Sequence, residues 1–149
     1  MDKINIEDLI LTPLNKISHP KGDVYHAMKK SDNGYVGFGE SYFSTIKSGE
    51  IKGWNKHKIM TLNLVVPVGE VIFIIYDDRE KSVTKGKFCK VILSSYNYQR
   101  LTVPPGLWLA FMGKSKGTNL ILNIADMEHD KEEIERLNLE QIDYNWDST

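Results

Sequence analysis

Two apolar runs meet at one glycine near the middle of the chain. Residues 61–68 read TLNLVVPV, residues 70–76 read EVIFIIY, and Gly69 joins them. Both are short, rich in Val, Ile and Leu, and nearly without polar alternation. A run of that length and composition is a strand buried on both faces rather than a helix. Such a strand needs a sheet that is covered on each side. No other feature restricts the fold as much.

The flanking sequence supplies further strands and turns. Residues 4–11 (INIEDLIL) form a leading strand that Pro13 interrupts. Pro20 and Gly22 mark a turn before a short strand over 23–28, and Ser31-Asp32-Asn33-Gly34 marks the next turn. Residues 35–46 (YVGFGESYFSTI) are aromatic and β-branched and read as strand, followed by a turn at 47–50 and another strand from Ile51. Residues 77–81 (DDREK) form a charged, solvated turn. Strands follow over 88–94, 101–103, 107–111 and 120–124, with Pro104-Pro105-Gly106 as punctuation. About ten strands with closely spaced turns predict an all-β sandwich or barrel. Only residues 130–137 (DKEEIERL) look helical, with acidic residues in the first turn. The tail IDYNW carries two aromatic residues that read as a plug. No repeat or linker divides the chain, so residues 1–149 are expected to form one domain.

Charge and cysteine usage narrow the function classes. The net charge of −1 gives no bulk attraction to nucleic acid or to an anionic membrane. Tyr42 and Phe43 beside Lys47 therefore read as core packing rather than a nucleic-acid surface. Cys89 is the one cysteine, too few for a disulfide, and its strand-like neighbours make it a buried bystander. The absence of a disulfide framework suits a reducing compartment. The acidic N-terminus has too short an apolar stretch for a signal peptide, and a cytoplasmic location is expected.

The chemistry-bearing stretch is Asn55-Lys56-His57-Lys58. On a strand, Asn55 and His57 share one face and Lys56 and Lys58 the other. An inward His57 is either a hydrogen-bonded structural histidine or a group that moves protons or contacts a sugar hydroxyl. No His-x-His spacing points two imidazoles to one side, so no metal site and no cofactor are expected. The segment GLWLAF around Trp108 reads as wall.

Several segments together resemble the dTDP-4-dehydrorhamnose 3,5-epimerase family. Gly49-Glu50-Ile51-Lys52-Gly53-Trp54-Asn55 is similar to its Gly-x-x-Arg-Gly-Leu-His motif. Gly69-Glu70-Val71, Asp77-Asp78-Arg79 and Ser82-Val83-Thr84-Lys85-Gly86 resemble its G-E-V, D-x-R and S-P-T-x-G segments. Leu93-Ser94, Arg100 and Pro104-Pro105-Gly106 resemble L-S, R and P-P-G, and His19-Pro20-Lys21-Gly22 resembles an early D-x-R-G. Trp54–His57 and Tyr144-Asn145-Trp146 resemble a subgroup with Trp-x-x-His and a closing Tyr-Asp-Trp.

The resemblance implies a cupin-type jelly-roll β-barrel, here with a short C-terminal helix, acting on nucleotide sugars as a homodimer. It also exposes departures. Asn55 stands at the family's base histidine, Leu109 at a second histidine, and Leu122 near its acid tyrosine. The implied function is a sugar or nucleotide-sugar epimerase or ketoisomerase of surface-polysaccharide biosynthesis. The alternative is a non-catalytic sugar-binding module whose catalytic residues are gone. For an enzyme, His57 is the expected base, Tyr42 or Tyr76 the acid, and Lys52 or Lys56 the oxyanion stabiliser. Lys21, Glu40, Ser44, Lys52, Asn55 and Arg100 are the expected substrate contacts.

Overall fold

The computed structural model describes residues 3–149. Its strands run in chain order as β1 (Ile10–Pro13), β2 (Lys16–Ile17), β3 (Val24–Tyr25), β4 (Glu40–Thr45), β5 (Ile51–His57) and β6 (Leu62–Val68). They continue as β7 (Glu70–Tyr76), β8 (Phe88–Ser94), β9 (Gln99–Val103), β10 (Trp108–Gly113), β11 (Leu120–Ala125) and β12 (Ile134–Arg136). One five-stranded sheet has the order β1-β9-β6-β11-β4, a second the order β12-β5-β10-β7-β8, and β2 pairs with β3 alone. All strand pairs are antiparallel. The arrangement is the jelly-roll β-fold of the cupins.

The central apolar runs are β6 and β7, and both of their faces are covered. Inner residues such as Leu62, Leu64, Phe73, Ile75, Leu101 and Ile121 form the core between the two sheets. Outside the first sheet lies the segment that leads into β4. Arg100, fully buried on β9, holds that segment down by donating to the Ala27 carbonyl (2.8 Å), the Asn33 carbonyl (3.1 Å) and the Asp32 carboxylate (3.2 Å). Outside the second sheet, Trp54, Ile72, Ile74 and Trp108 are covered by Leu137, Leu139, Ile142, Tyr144 and Trp146. The terminal aromatics thus cover an outer sheet face instead of plugging a mouth. Trp54 Nε1 donates to the Leu139 carbonyl at 3.2 Å, which satisfies the polar edge of a ring with no exposed surface.

Three sequence-based expectations change in the structure. Residues 130–137 form only a 3-10 turn, Lys131–Glu133, before β12. Pairing with the edge of β5 gives Ile134–Arg136 long-range backbone partners that override a weak local helix preference. Tyr42 and Phe43, read as core packing, are 45% and 64% exposed on the sheet-edge strand β4 and lie outside the core. Asp77 is no part of a solvated turn: it is fully buried and accepts hydrogen bonds from Arg79 Nε (2.9 Å), Ser82 Oγ (2.6 Å) and Thr84 Oγ1 (2.7 Å). Burial alone raises its pKa, but these donors outweigh burial and hold the carboxyl well below the usual range. No helix among the described residues is long and apolar enough to cross a membrane.

Candidate active site

A cavity of about 210 Å³ opens between the two sheets. Its floor is apolar, with Leu62, Leu64, Phe73, Leu109 and Phe111 among its walls. Its polar lining consists of Tyr42 and Ser44 from β4, Lys52, Asn55 and His57 from β5, and Asn123 from β11. Leu109, on the strand read as wall, lines the cavity as the cross-strand neighbour of Asn55 in the same sheet.

Strand β5 delivers three of these side chains. Asn55 and His57 share a face through simple alternation. Lys52 would fall on the opposite face in a regular strand. The β5–β10 register shifts between Leu109 and Phe111, and this irregularity turns Lys52 inward as well. Gly53 sits at that point with φ +144°, and a Cβ there would come within 2.4 Å of the Ala110 Cβ. Only glycine combines that backbone angle with so close an approach. Lys52 Nζ donates to the Thr45 carbonyl at 2.8 Å.

His57 has a partner from a distant part of the chain. Its Nδ1 lies 2.5 Å from Glu133 Oε1. Glu133 is 2% exposed, and its second oxygen accepts the backbone N–H groups of Ile59 (3.2 Å) and Met60 (3.1 Å). Burial pushes the Glu133 carboxyl upward, but His57 and the two amides outweigh it and lower the pKa below its ordinary value. An ionised carboxylate only accepts, so His57 Nδ1 carries a proton, and the neutral form of the ring has its lone pair on Nε2. A buried, ionised carboxylate that fixes an imidazole tautomer is the arrangement of a general base and its orienting group.

Tyr42 lies across the sheet from Asn123, and Asn123 Nδ2 is 3.1 Å from the Tyr42 hydroxyl. Leu122, the position nearest the family's acid tyrosine, pairs with Phe43 and Val65 and sits one residue out of phase with the cavity-lining Asn123.

The other expected site residues lie elsewhere. Tyr76 alternates out of phase with Phe73 and Ile75 and stacks on Phe88 on the outer face of the second sheet, 4.5 Å between ring centroids. Arg100 is committed to the segment over the first sheet. Glu40 accepts the His129 N–H at 2.6 Å, and Lys21 is exposed in the β2–β3 turn; neither lines the cavity. Lys56 points outward, 3.3 Å from Asp78 and 4.8 Å from the Trp108 ring centroid. Glu133 and Asn123 were not foreseen, because nothing local in the sequence marks them.

The family model for dTDP-4-dehydrorhamnose 3,5-epimerase matches residues 3–149. The chain belongs to that family. A dTDP sugar isomerase structure from Desulfovibrio desulfuricans G20 superposes with a TM-score of 0.92 at 33% identity, covering 97% of this chain and 94% of that one. The probable low-salt glycan biosynthesis epimerase Agl13 of Haloferax volcanii is 26% identical over 131 residues, 87% of this chain and 84% of the relative. The spore coat polysaccharide biosynthesis protein SpsL of Bacillus subtilis is 24% identical over 147 residues, 96% of this chain and 97% of the relative.

Proposed function

We propose that the protein is an epimerase or ketoisomerase acting on a nucleotide-linked keto sugar in polysaccharide assembly. The observation that carries this reading is the His57–Glu133 pair at the cavity, with the Glu133 carboxyl buried and ionised. A pocket that only binds a sugar can use a fixed imidazole tautomer to accept from a hydroxyl, but it forms no imidazolium for a buried carboxylate to stabilise. A base that removes a proton from the carbon beside a ketone does. His57 Nε2 takes that proton, and the electron pair moves onto the ketone oxygen as an enolate. Asn55 and Ser44 supply hydrogen-bond donors to that oxygen, and Lys52, on the same lining, supplies positive charge that holds the anionic substrate in place. Tyr42 returns a proton to carbon. The cavity suits one sugar ring, which leaves the nucleotide outside its mouth. The dTDP sugar isomerase neighbour supports dTDP as the nucleotide.

The proposed assembly is a homodimer. The family likeness supports it, as do the exposed Val36, Phe38 and Phe43 on and beside the free-edged strand β4.

The test is incubation in deuterated water with a panel of dTDP-linked 4-keto-6-deoxy sugars. The expected result is deuterium at a carbon beside the ketone, abolished by His57→Ala. No exchange by the wild type across the panel, or full exchange by His57→Ala, would overturn this assignment.

A further inference from the structure

We infer that Asn123 is a positioning residue that fixes the direction of the Tyr42 hydrogen bond, so that the phenol offers its proton to the cavity. The inference rests on the epimerase reading above and names the side chain that makes its acid work.

The direction follows from a chain of hydrogen bonds with one fixed end. The backbone N–H of Asn63 lies 3.2 Å from Asn123 Oδ1. A backbone N–H can only donate, so the Asn123 atom facing it must be the carbonyl oxygen. The amide nitrogen then faces the Tyr42 hydroxyl at 3.1 Å. That nitrogen can only donate, so the Tyr42 oxygen accepts and its own hydrogen is left free. Asn63 is itself locked. Its Oδ1 accepts from Thr102 Oγ1 at 2.6 Å, and its Nδ2 donates to the Gly34 carbonyl at 3.1 Å. Asn123 is 2% exposed, which shields its own amide from water, while Tyr42 is 45% exposed.

The amide does two things in the reaction. It keeps the phenol from turning its hydrogen into the sheet, and it stabilises the charge left on the oxygen once the proton has gone. The proton balance is complete. The C–H bond breaks toward His57 Nε2, the Tyr42 O–H bond breaks, and a new C–H bond forms from it on the opposite face of the carbon. Imidazolium and phenolate remain and reset by proton exchange with solvent.

Asn123→Asp tests this with almost no change of shape. One carboxylate oxygen still accepts from the Asn63 N–H. The other can only accept, so Tyr42 must donate to it, and its proton leaves the cavity. In deuterated water, His57 then still exchanges the substrate carbon with retention, while inversion falls by about a hundredfold, as in Tyr42→Phe. The double variant is no worse than either single one. Inversion at the wild-type ratio to exchange in Asn123→Asp would overturn the inference while leaving the epimerase reading intact. Absence of exchange in the wild type strikes at the epimerase reading instead. A second measurement does not depend on turnover. In isotope-labelled protein, Tyr42→Phe should move an Asn123 side-chain amide proton upfield as it loses its acceptor. An unmoved signal would overturn the inference whatever the activity.

Discussion

Glu133 Oε1 sits 2.5 Å from His57 Nδ1, although the two residues are 76 positions apart in the chain. The approach is built by backbone pairing. Strand β12 runs antiparallel to β5 with Ile134 opposite His57, and the Lys58 N–H donates to the Glu133 carbonyl at 2.8 Å. The C-terminal segment therefore brings the Glu133 carboxylate to the proposed base, and the same pairing extends the sheet.

Glu133→Gln should cost more than a lost charge. The glutamine amide can donate to Nδ1, which places the imidazole proton on Nε2 and blocks the base. Serine proteases with the comparable Asp→Asn change lose about 10⁴-fold in kcat, and a loss on the order of 10³-fold is expected here. Steady-state kinetics read it, with KM little changed. A fall of only a few-fold would mean that Glu133 is structural alone.

Acid should destabilise the fold through two carboxylates. Asp77 and Glu133 both have folded pKa values below those of the unfolded chain. Their stabilising contributions are complete above the unfolded value of about 4 and are lost as pH falls through the folded values. Urea midpoints should be flat from neutral pH down to about 5 and fall steeply below about 4. Asp77→Asn should be less stable at neutral pH and show a shallower acid limb. Parallel acid limbs in variant and wild type would contradict the assignment to Asp77.

Lys52 should act on affinity. Lys52→Ala removes a cation from the cavity lining, and a charge-assisted hydrogen bond is worth about 1.5–3 kcal/mol. KM for a dTDP sugar should rise by roughly 10-fold to 100-fold, and Lys52→Arg should recover part of it. Equal KM values in all three proteins would place the substrate away from Lys52.

The outer hydrophobic cluster should matter for stability first and for chemistry only through the placement of Glu133. Trp54→Ala opens a cavity between the second sheet and the terminal segment, and such truncations cost about 3–5 kcal/mol. Chemical denaturation measures it. Because that segment also carries Glu133, partial loss of activity should accompany any loosening of residues 133–146.

Sedimentation equilibrium should find twice the chain mass, and Phe43→Glu on the exposed side of β4 should shift the population toward monomer. A wild-type monomer at all accessible concentrations would remove the proposed assembly.

How much of this the sequence determined differs from residue to residue. The β-branched runs at β6 and β7 were legible because strand periodicity and two-sided burial are local properties of composition. The shared face of Asn55 and His57 was legible for the same reason. Alternation on β7, followed outward from Phe73, also places Tyr76 on the outer face; nothing in the sequence says which face is the inner one. Lys52 escaped the local rule because its inward turn depends on a register shift against β10, a property of two strands together. Glu133 and Asn123 were invisible for a stronger reason. Each acquires its role from a partner across a sheet, His57 or Tyr42, and the local sequence around 133 favours a helix that the pairing overrides. The sequence by itself determined the strands and which residues on each of them share a face. Only the tertiary structure decided which faces line the cavity and which acid meets which base, because those are set by strand pairing between residues far apart in the chain.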